Sequence, residues 1–321
     1  MKKALIIIAA IAVSIGIILV MVAALTVGFN FSELIQTEKN YETKTYEIND
    51  GFSDIDIKSK NTRIVIKPSE NGKASVVCPE REKVTYSVKV EDEVLKIYVE
   101  DGREWYDYVY LFNKSLQLTV SIPSGEYGAL TADAGTGDVD VNEAFSFGDA
   151  NIKTDTGDVA FNASAENALK IKTTTGDITL KSTSAGSVDL SVTTGRITVS
   201  SLDCRGELSA HVSTGKTELS DVACGSLAST GSTGDIKLKN VAVSGPMSIE
   251  RSTGDVRFTD SDAAQITVKT TTGDVTGTLK SEKIFVAKAS TGKISVPDTA
   301  SGGKCEINTS TGDIRISISG K

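Results

Sequence analysis

The residues best suited to chemistry in this sequence are aspartates that follow a recurring glycine. They stand at positions 138, 158, 177, 235, 255, 274 and 313, whereas Arg196, Lys216 and Lys293 replace them in three other copies. If these side chains point outward, two runs of three acids would stack at the spacing of neighbouring strands: Asp138, Asp158 and Asp177, and Asp235, Asp255 and Asp274. Such a ladder could bind a cation such as calcium, or supply the acid and base of glycan cleavage. Asp is also simply a good turn residue, and its replacement by Lys and Arg favours that interpretation.

Other reactive side chains are few. The chain has one histidine, His211, and four cysteines at 78, 204, 224 and 305, without a CxxC or HExxH pattern, so the usual zinc and thiol sites lack their ligands. His211 is predicted to be a surface residue without a catalytic role. The net charge of -8 and the lack of a basic cluster argue against nucleic acid as a partner. No catalytic residue and no organic cofactor are predicted.

Two further positions leave alternatives open. Cys204 and Cys224 occupy the same place in successive copies of the repeat, which predicts either a disulfide or two stacked thiols. Arg251 stands in a column of small or apolar residues, with Gly231 one copy earlier leaving room for it. Its guanidinium is expected either to turn a corner to solvent or to be paired inside the protein.

The glycines that precede the acidic positions define a repeat of 19 or 20 residues in ten copies. A fixed period of this length indicates a solenoid. Each corner consists of a threonine and the glycine after it: Thr136 and Gly137, Thr156 and Gly157, Thr175 and Gly176, Thr194 and Gly195, Thr214 and Gly215, Thr233 and Gly234, Thr253 and Gly254, Thr272 and Gly273, Thr291 and Gly292, and Thr311 and Gly312.

Apolar residues on either side of the glycine predict which solenoid forms. Seven and five residues before it, and two and four residues after it, the side chains are mostly apolar, as in Leu169, Ile171, Ile178 and Leu180. Spacing of two indicates strands, and the shift of one in phase requires a bend at the glycine. A third apolar pair follows later in several copies. We therefore predict an all-β fold, a single-stranded parallel β-helix of about ten coils stacked in sequence order at ~4.8 Å.

The threonine of each corner has the same phase as the buried residues. A hydroxyl in that place could bond a backbone group that the bend leaves unpaired. The Thr-Gly pair is therefore predicted to be a structural turn repeated once per coil.

Residues 4–29 are uncharged and apolar apart from Ser14 and Thr26. Twenty-six residues of helix are long enough to cross a hydrocarbon layer of ~30 Å. Lys2 and Lys3 place residues 1–3 in the cytoplasm, so a single-pass anchor would hold the rest of the chain outside the cell membrane. The alternative is a long cleaved signal peptide, with Ala23 and Ala24 near its processing site.

Residues 30–44 are predicted to be a linker, residues 45–129 a β-rich cap with degenerate coils, and residues 130–321 the repeat β-helix. In the cap, "FSDIDIKSKNTRIVIKP" from Phe52 to Pro68 shows the same phase shift as the repeats. Further on, an aromatic run could stack on sugar rings, bind a protein, or pack within the cap. Its members are Trp105, Tyr106, Tyr108 and Tyr110.

Together, the anchor, the opening "FSDIDIKSKNTRIVI", the strand "LQLTVSIP" and coils such as "LKIKTTTGDITL" resemble the bacterial "putative adhesin" family of β-strand repeat proteins. That family is a domain of unknown function that includes LiaG-like envelope proteins of Gram-positive bacteria. The resemblance covers roughly residues 45–318 and implies a cell-surface role without catalytic residues. We expect a non-enzymatic, membrane-anchored extracytoplasmic solenoid that binds an envelope polysaccharide or a protein partner, in adhesion or envelope stress. The alternatives are a glycan-active β-helix enzyme and a calcium-stabilised stalk.

Overall fold

The computed structural model describes residues 41–81, 83–102 and 116–319, together with positions 13 and 16. Contacts between Cα atoms divide the chain into two units, one made of Met1–Tyr41 and Gly102–Lys114, the other of Glu42–Asp101 and Ser115–Lys321. Apart from positions 13 and 16, the predicted anchor at residues 4–29 lies outside the described residues. Within the described part of the chain, none of the helical structure is long and apolar enough to cross a membrane.

The second unit is built from strands, as predicted. In chain order they are β1 Glu42–Ile48, β2 Asp54–Lys58, β3 Thr62–Pro68, β4 Ala74–Glu80, β5 Val84–Glu91, β6 Val94–Asp101, β7 Leu116–Ile122, β8 Gly125–Asp133, β9 Val139–Val141, β10 Phe145–Thr156, β11 Val159–Phe161, β12 Ser164–Thr175, β13 Ile178–Thr194, β14 Ile197–Thr214, β15 Thr217–Thr233, β16 Ile236–Thr253, β17 Val256–Thr272, β18 Val275–Leu279, β19 Lys283–Thr291, β20 Ile294–Ser295, β21 Gly303–Thr311 and β22 Ile314–Ile318.

Successive coils pair in parallel and in register, so equivalent residues stack into columns. Val199 lies opposite Leu219, and Leu208 lies opposite Leu227, where β14 pairs with β15. These inward columns are buried along the stack and form one continuous apolar core. Because a single coil cannot cover its own inward face, this stacking supplies the burial that stabilises the fold. The predicted all-β solenoid of about ten coils is confirmed.

Each predicted corner glycine is required by the backbone of the neighbouring coil. A Cβ built on Gly215 would lie 1.6 Å from the carbonyl oxygen of Gly195, and the residue has a φ of +141°. Gly176 has the same environment, with 2.0 Å to the oxygen of Gly157 and a φ of +143°. Only glycine combines this φ with so close an approach. The phase shift found in the sequence therefore marks a bend at which coils touch backbone to backbone.

Two other corners complete the coils of β13 to β17. Six residues after the glycine, a polar residue adopts the left-handed conformation with φ between 48° and 58°, the members being Ser182, Ser201, Asp221, Asn240 and Asp260. At the third corner the register between coils shifts, for example between Cys204 and Glu207 of β14. Such a shift is a β-bulge, which bends the strand without interrupting the ladder for long.

Residues before the first Thr-Gly copy continue the stack. The sequence predicted a degenerate coil from Phe52 to Pro68, and β2 and β3 there pair in parallel with β8 and β9. On their other side, β6 and β7 pair in parallel with β2 and β3 and form one more level. Antiparallel strands then close this end: β5 pairs with β6, β4 with β7, and β1 with β4.

The order of the last two coils differs from the prediction. Strands β21 and β22 pair directly with β17 and β18, and β19 and β20 lie beyond them. The coil that is last in sequence is therefore inserted as the last but one in space. Its inward residues Cys305, Ile307 and Ile314 are buried, whereas on β19 of the outer coil Lys283 is buried and Phe285, Ala287 and Ala289 are half-buried. At the paired positions Ala287 and Ile307, the smaller side chain is the one left at the open end, which exposes less apolar area there.

We predict that Gly215→Ala destabilises the protein by about 3–5 kcal/mol, because the new methyl group meets the Gly195 carbonyl and the φ is unfavourable for alanine. Urea denaturation measures the change. Gly51→Ala is the matched control, since a Cβ there meets nothing within 4 Å, and its effect should stay below about 1 kcal/mol. Equal stability of the two variants would contradict the close coil contact.

We also predict that Lys269→Cys/Asn308→Cys forms a disulfide on mild oxidation, because the two positions are direct partners between β17 and β21. Adjacent strands lie about 4.8 Å apart, within the range of a disulfide. The pair Lys269→Cys/Lys288→Cys should remain reduced, since its positions lie two coils apart at about 9.6 Å. Non-reducing electrophoresis or mass spectrometry distinguishes them, and the reverse result would restore the sequential order of coils.

Candidate binding groove

The threonines that precede the corner glycines are exposed in all ten copies. The expectation that they continue the buried phase and that their hydroxyls complete the corner is therefore wrong, because the chain bends one residue earlier than the phase suggests. At the corner these threonines contribute their backbone carbonyl oxygens, which accept hydrogen bonds from the amides of corner glycines. The amide of Gly176 donates to the carbonyl of Thr194 at 3.0 Å, and that of Gly215 donates to Thr233 at 2.8 Å.

The hydroxyl that bonds the corner belongs to a different threonine, three residues before the glycine. Thr173 is buried and donates from Oγ1 to the carbonyl oxygen of Gly157 at 3.1 Å. Thr154 and Thr309 make the same bond to Gly137 and Gly273, at 3.1 and 3.2 Å. Since a bent backbone leaves that carbonyl with a free lone pair, the hydroxyl satisfies it within the core.

The aspartates after the glycines support the coil above them. Asp158 Oδ1 accepts from the amide of Asp177 at 2.8 Å, and Asp255 Oδ1 accepts from the amide of Asp274 at 2.9 Å. Asp138 and Asp235 bond the amides of Asp158 and Asp255 at 2.9 and 3.2 Å. A carboxylate that accepts an amide N–H makes a charge-assisted bond, so the ladder holds together despite its like charges.

This geometry gives the acidic ladder a structural role. Throughout the described part of the chain, no group of three or more His, Cys, Asp or Glu side chains is arranged to hold a metal ion. In each of the bonds described above, one carboxylate oxygen is occupied by an amide. The use of Asp177 as a turn and amide-binding residue is therefore what the structure supports.

The remaining candidate residues are placed as follows. Cys204 and Cys224 are direct partners in adjacent coils, yet both thiols are free and buried. Burial raises the pKa of Cys224 to about 12, so its thiol is protonated at neutral pH. His211 is exposed and bonds Thr230 and Ser213. The aromatic run Trp105, Tyr106, Tyr108 and Tyr110 lies outside the described residues, and its role stays a prediction.

A groove follows the third corner of the coils from β8 to β19. We define the binding groove as two adjoining depressions of about 560 and 630 Å³ that share Asp203 and Arg205 in their lining. The first depression extends from Glu126 to Arg205, and the second from Asp203 to Lys283. Both depressions are shallow and open to solvent, which suits an extended ligand better than one enclosed on all sides.

Small residues open this groove along the stack. Glycines recur nine residues before the corner glycine, at 128, 148, 186, 206, 225, 245 and 303. A Cβ on Gly186 would lie 2.2 Å from the carbonyl oxygen of Asn167, and one on Gly225 would lie 2.8 Å from that of Arg205. The corner therefore carries bare backbone flanked by alanine, serine and cysteine. This second glycine column was the sequence signal for the groove, and it was missed.

The groove is lined by apolar and hydroxyl side chains together with charged side chains of both signs. Lys283 is only 4% exposed and pairs with Asp262 at 2.6 Å between Nζ and Oδ1. Arg205 donates to the carbonyl oxygen of Glu166, which lies in the same lining. At the amino-terminal end, Tyr127 stacks on Phe52 with ring centroids 5.9 Å apart. This arrangement suits hydrogen bonding and ring stacking to a ligand with little net charge.

A family model described as Toastrack DUF4097 matches residues 52–208 and 202–321. Among solved structures, a "putative adhesin" from Parabacteroides distasonis ATCC 8503 has a TM-score of 0.50 at 12% identity, covering 75% of this chain and 98% of that one. One from Bacteroides fragilis NCTC 9343 has a TM-score of 0.44 at 14% identity, covering 88% and 99%. No curated protein matches the chain significantly.

Thr173→Val is expected to lower the free energy of unfolding by about 1 kcal/mol, because it keeps the shape of the side chain and removes the bond to Gly157. The control is Thr175→Val at the exposed position before Gly176, which should change stability by less than about 0.5 kcal/mol. Chemical denaturation of both variants measures the difference. A larger loss for Thr175→Val would assign the corner bond to the other threonine.

Proposed function

The chain belongs to the Toastrack DUF4097 family, and we propose that it is a non-enzymatic solenoid that binds an extended glycan of the cell envelope in the binding groove. The observation that carries this proposal is the continuity of the groove, whose two depressions share Asp203 and Arg205. Equivalent positions of the lining recur at each coil, about every 4.8 Å, with side chains that vary from coil to coil. A row of regularly spaced contact positions suits a polymer with repeated units better than a compact small molecule.

The lining favours a hydroxyl-rich polymer. Ser164 and Ser184 stand on adjacent coils with their Oγ atoms 2.9 Å apart, so they offer a row of hydroxyls. The basic groups of the groove are already engaged, Lys283 with Asp262 and Arg205 with a backbone carbonyl. A strongly anionic polymer would need free cations, as nucleic acid does. Sugar rings could use the hydroxyls and the exposed part of Tyr127.

The proposal includes an extracytoplasmic location. Residues 4–29 are long and apolar enough for a membrane anchor, and Lys2 and Lys3 would keep residues 1–3 in the cytoplasm. The word "adhesin" in the description of the Parabacteroides distasonis structure is compatible with a surface role. A membrane-bound solenoid would then present its groove to the polymers outside the membrane.

A glycan-active enzyme is the runner-up. It would need two carboxyl groups placed on either side of a glycosidic bond. The aspartates of the corner ladder hold backbone amides of neighbouring coils. The groove has carboxyl groups of its own at Glu126, Glu166, Asp203 and Asp262, of which Asp262 is paired with Lys283. Binding without cleavage is the function that the continuity of the groove favours.

We expect Ala242→Arg to weaken glycan binding tenfold or more, since a long side chain at this exposed position of the groove blocks the polymer. The full chain in detergent is co-sedimented with purified insoluble peptidoglycan over a range of concentrations. Thr193→Arg adds the same charge at an exposed position two residues before the corner glycine Gly195 and should bind like the wild type.

Two further assays test the other parts of the proposal. Reducing ends should not increase while the protein is incubated with peptidoglycan, and an increase would indicate hydrolysis instead of binding. In an expressing bacterium, the full chain should stay in the membrane fraction after carbonate extraction, and its release would overturn the anchor. Equal binding by the wild type and Ala242→Arg would remove the groove as the glycan site.

A further inference from the structure

Arg251 is a buried cation in a core that is mostly apolar. It is 4% exposed, and its column continues with Gly231 in the coil before and Thr270 in the coil after. Nη1 lies 1.9 Å from the place that a Cβ of Gly231 would occupy. The guanidinium therefore extends inward across the coil of Gly231, which answers the question that the sequence left open.

The guanidinium has one identified partner. Its Nη2 donates to Oγ1 of Thr217, at the start of β15, at 2.9 Å. Its Nε and Nη1 have no hydrogen-bond partner, and neither do the buried hydroxyls of Ser229 and Thr270. Ser229 is on the coil that the guanidinium crosses, two residues before Gly231 on the same strand, and Thr270 is in the column of Arg251.

The charge of Arg251 is not balanced by a neighbouring carboxylate on its strand. Glu250 is exposed and pairs with Lys269 at 3.1 Å on the outer surface. Burial lowers the pKa of Arg251 to about 10, which leaves the guanidinium protonated at neutral pH. A buried charge needs a counter-charge or strong hydrogen bonds, because its hydration is lost.

We propose that this cluster, Arg251 with Thr217, Ser229 and Thr270, binds one small monovalent anion of the halide class inside the solenoid. Guanidinium N–H groups can only donate, and hydroxyls can turn to donate as well. An acceptor that carries a negative charge can accept from one edge of the guanidinium and from hydroxyls beside it, and it neutralises the site. A water molecule would accept from at most two and leave the charge unbalanced.

The cluster has a route to solvent. A surface depression of about 550 Å³ lies over it, with Gly231, Arg251 and Thr270 in its lining. Exposed residues at the rim include His211, Lys269 and Glu250, of which Lys269 and Glu250 are paired with each other. Gly231 lies between this depression and the cluster, and we expect a single ion to enter there when the strands open briefly.

Bromide locates the ion directly. Crystals of the full chain grown or soaked in sodium bromide should show an anomalous peak within hydrogen-bond distance of Nε or Nη1 of Arg251. Density that scatters like water, without an anomalous peak at the cluster, would overturn the proposal.

Anion-dependent stability provides a second test in solution. At equal ionic strength, the Tm of the full chain in detergent should be about 2–4 °C higher in sodium chloride or bromide than in sodium gluconate, whose anion is too large to enter. Arg251→Met should abolish this difference, and Arg257→Met, at an exposed position six residues on, should retain it. A Tm that is independent of the anion in the wild type, or a difference that survives in Arg251→Met, would disprove the site.

Discussion

Backbone contact at the corner glycines is the constraint on which the rest of this structure depends. The carbonyl oxygen of one corner glycine lies where the next glycine would carry its Cβ, 2.0 Å away for Gly176 and Gly195 alike. At such proximity the corner amides reach the threonine carbonyls of the next coil, and Asp177 reaches the amide of Arg196 at 2.7 Å. A larger residue at the corner would separate the coils and with them the apolar columns. The Thr-Gly-Asp tripeptide is thus a unit of coil stacking.

The two ends of the stack meet the same physical problem in different ways. An open strand edge exposes unpaired backbone groups, and an open coil exposes core side chains. At the amino-terminal end, β5, β4 and β1 run antiparallel and cover the last parallel level. At the other end, the coil of β19 and β20 is outermost, where Ile284 and Val286 are 46% and 48% exposed. Inserting β21 and β22 beneath it keeps the larger aliphatic residues of Cys305–Ile318 in the interior.

Regular stacking also limits the positions at which polar or charged side chains can replace the usual residue of a column. Most columns repeat a residue type because each position has the same neighbours above and below it. Polar or charged groups are tolerated where a small residue in the adjoining coil leaves space, as Gly231 does for Arg251. The groove arises from the same rule on the outer side, where a second glycine column leaves the third corner without side chains. Family membership alone assigns neither feature a function, since a fold can serve many purposes.

Much of this architecture could be predicted from the sequence, because local steric constraints determine it. Glycine at every bend, the phase shift across it and alternating residues such as Leu169 and Ile171 indicate parallel coils, because each reflects the conformation of a few neighbouring residues. Long-range pairing decided the rest. Three features depend on residues that are distant in the chain. They are the coil that lies beside β17, the choice between Thr173 and Thr175 as the threonine that faces the core, and the inward direction of Arg251. These features follow from the apolar area that is buried and from the polar groups that find hydrogen-bond partners in the complete stack. Neither can be predicted from the sequence of a single repeat.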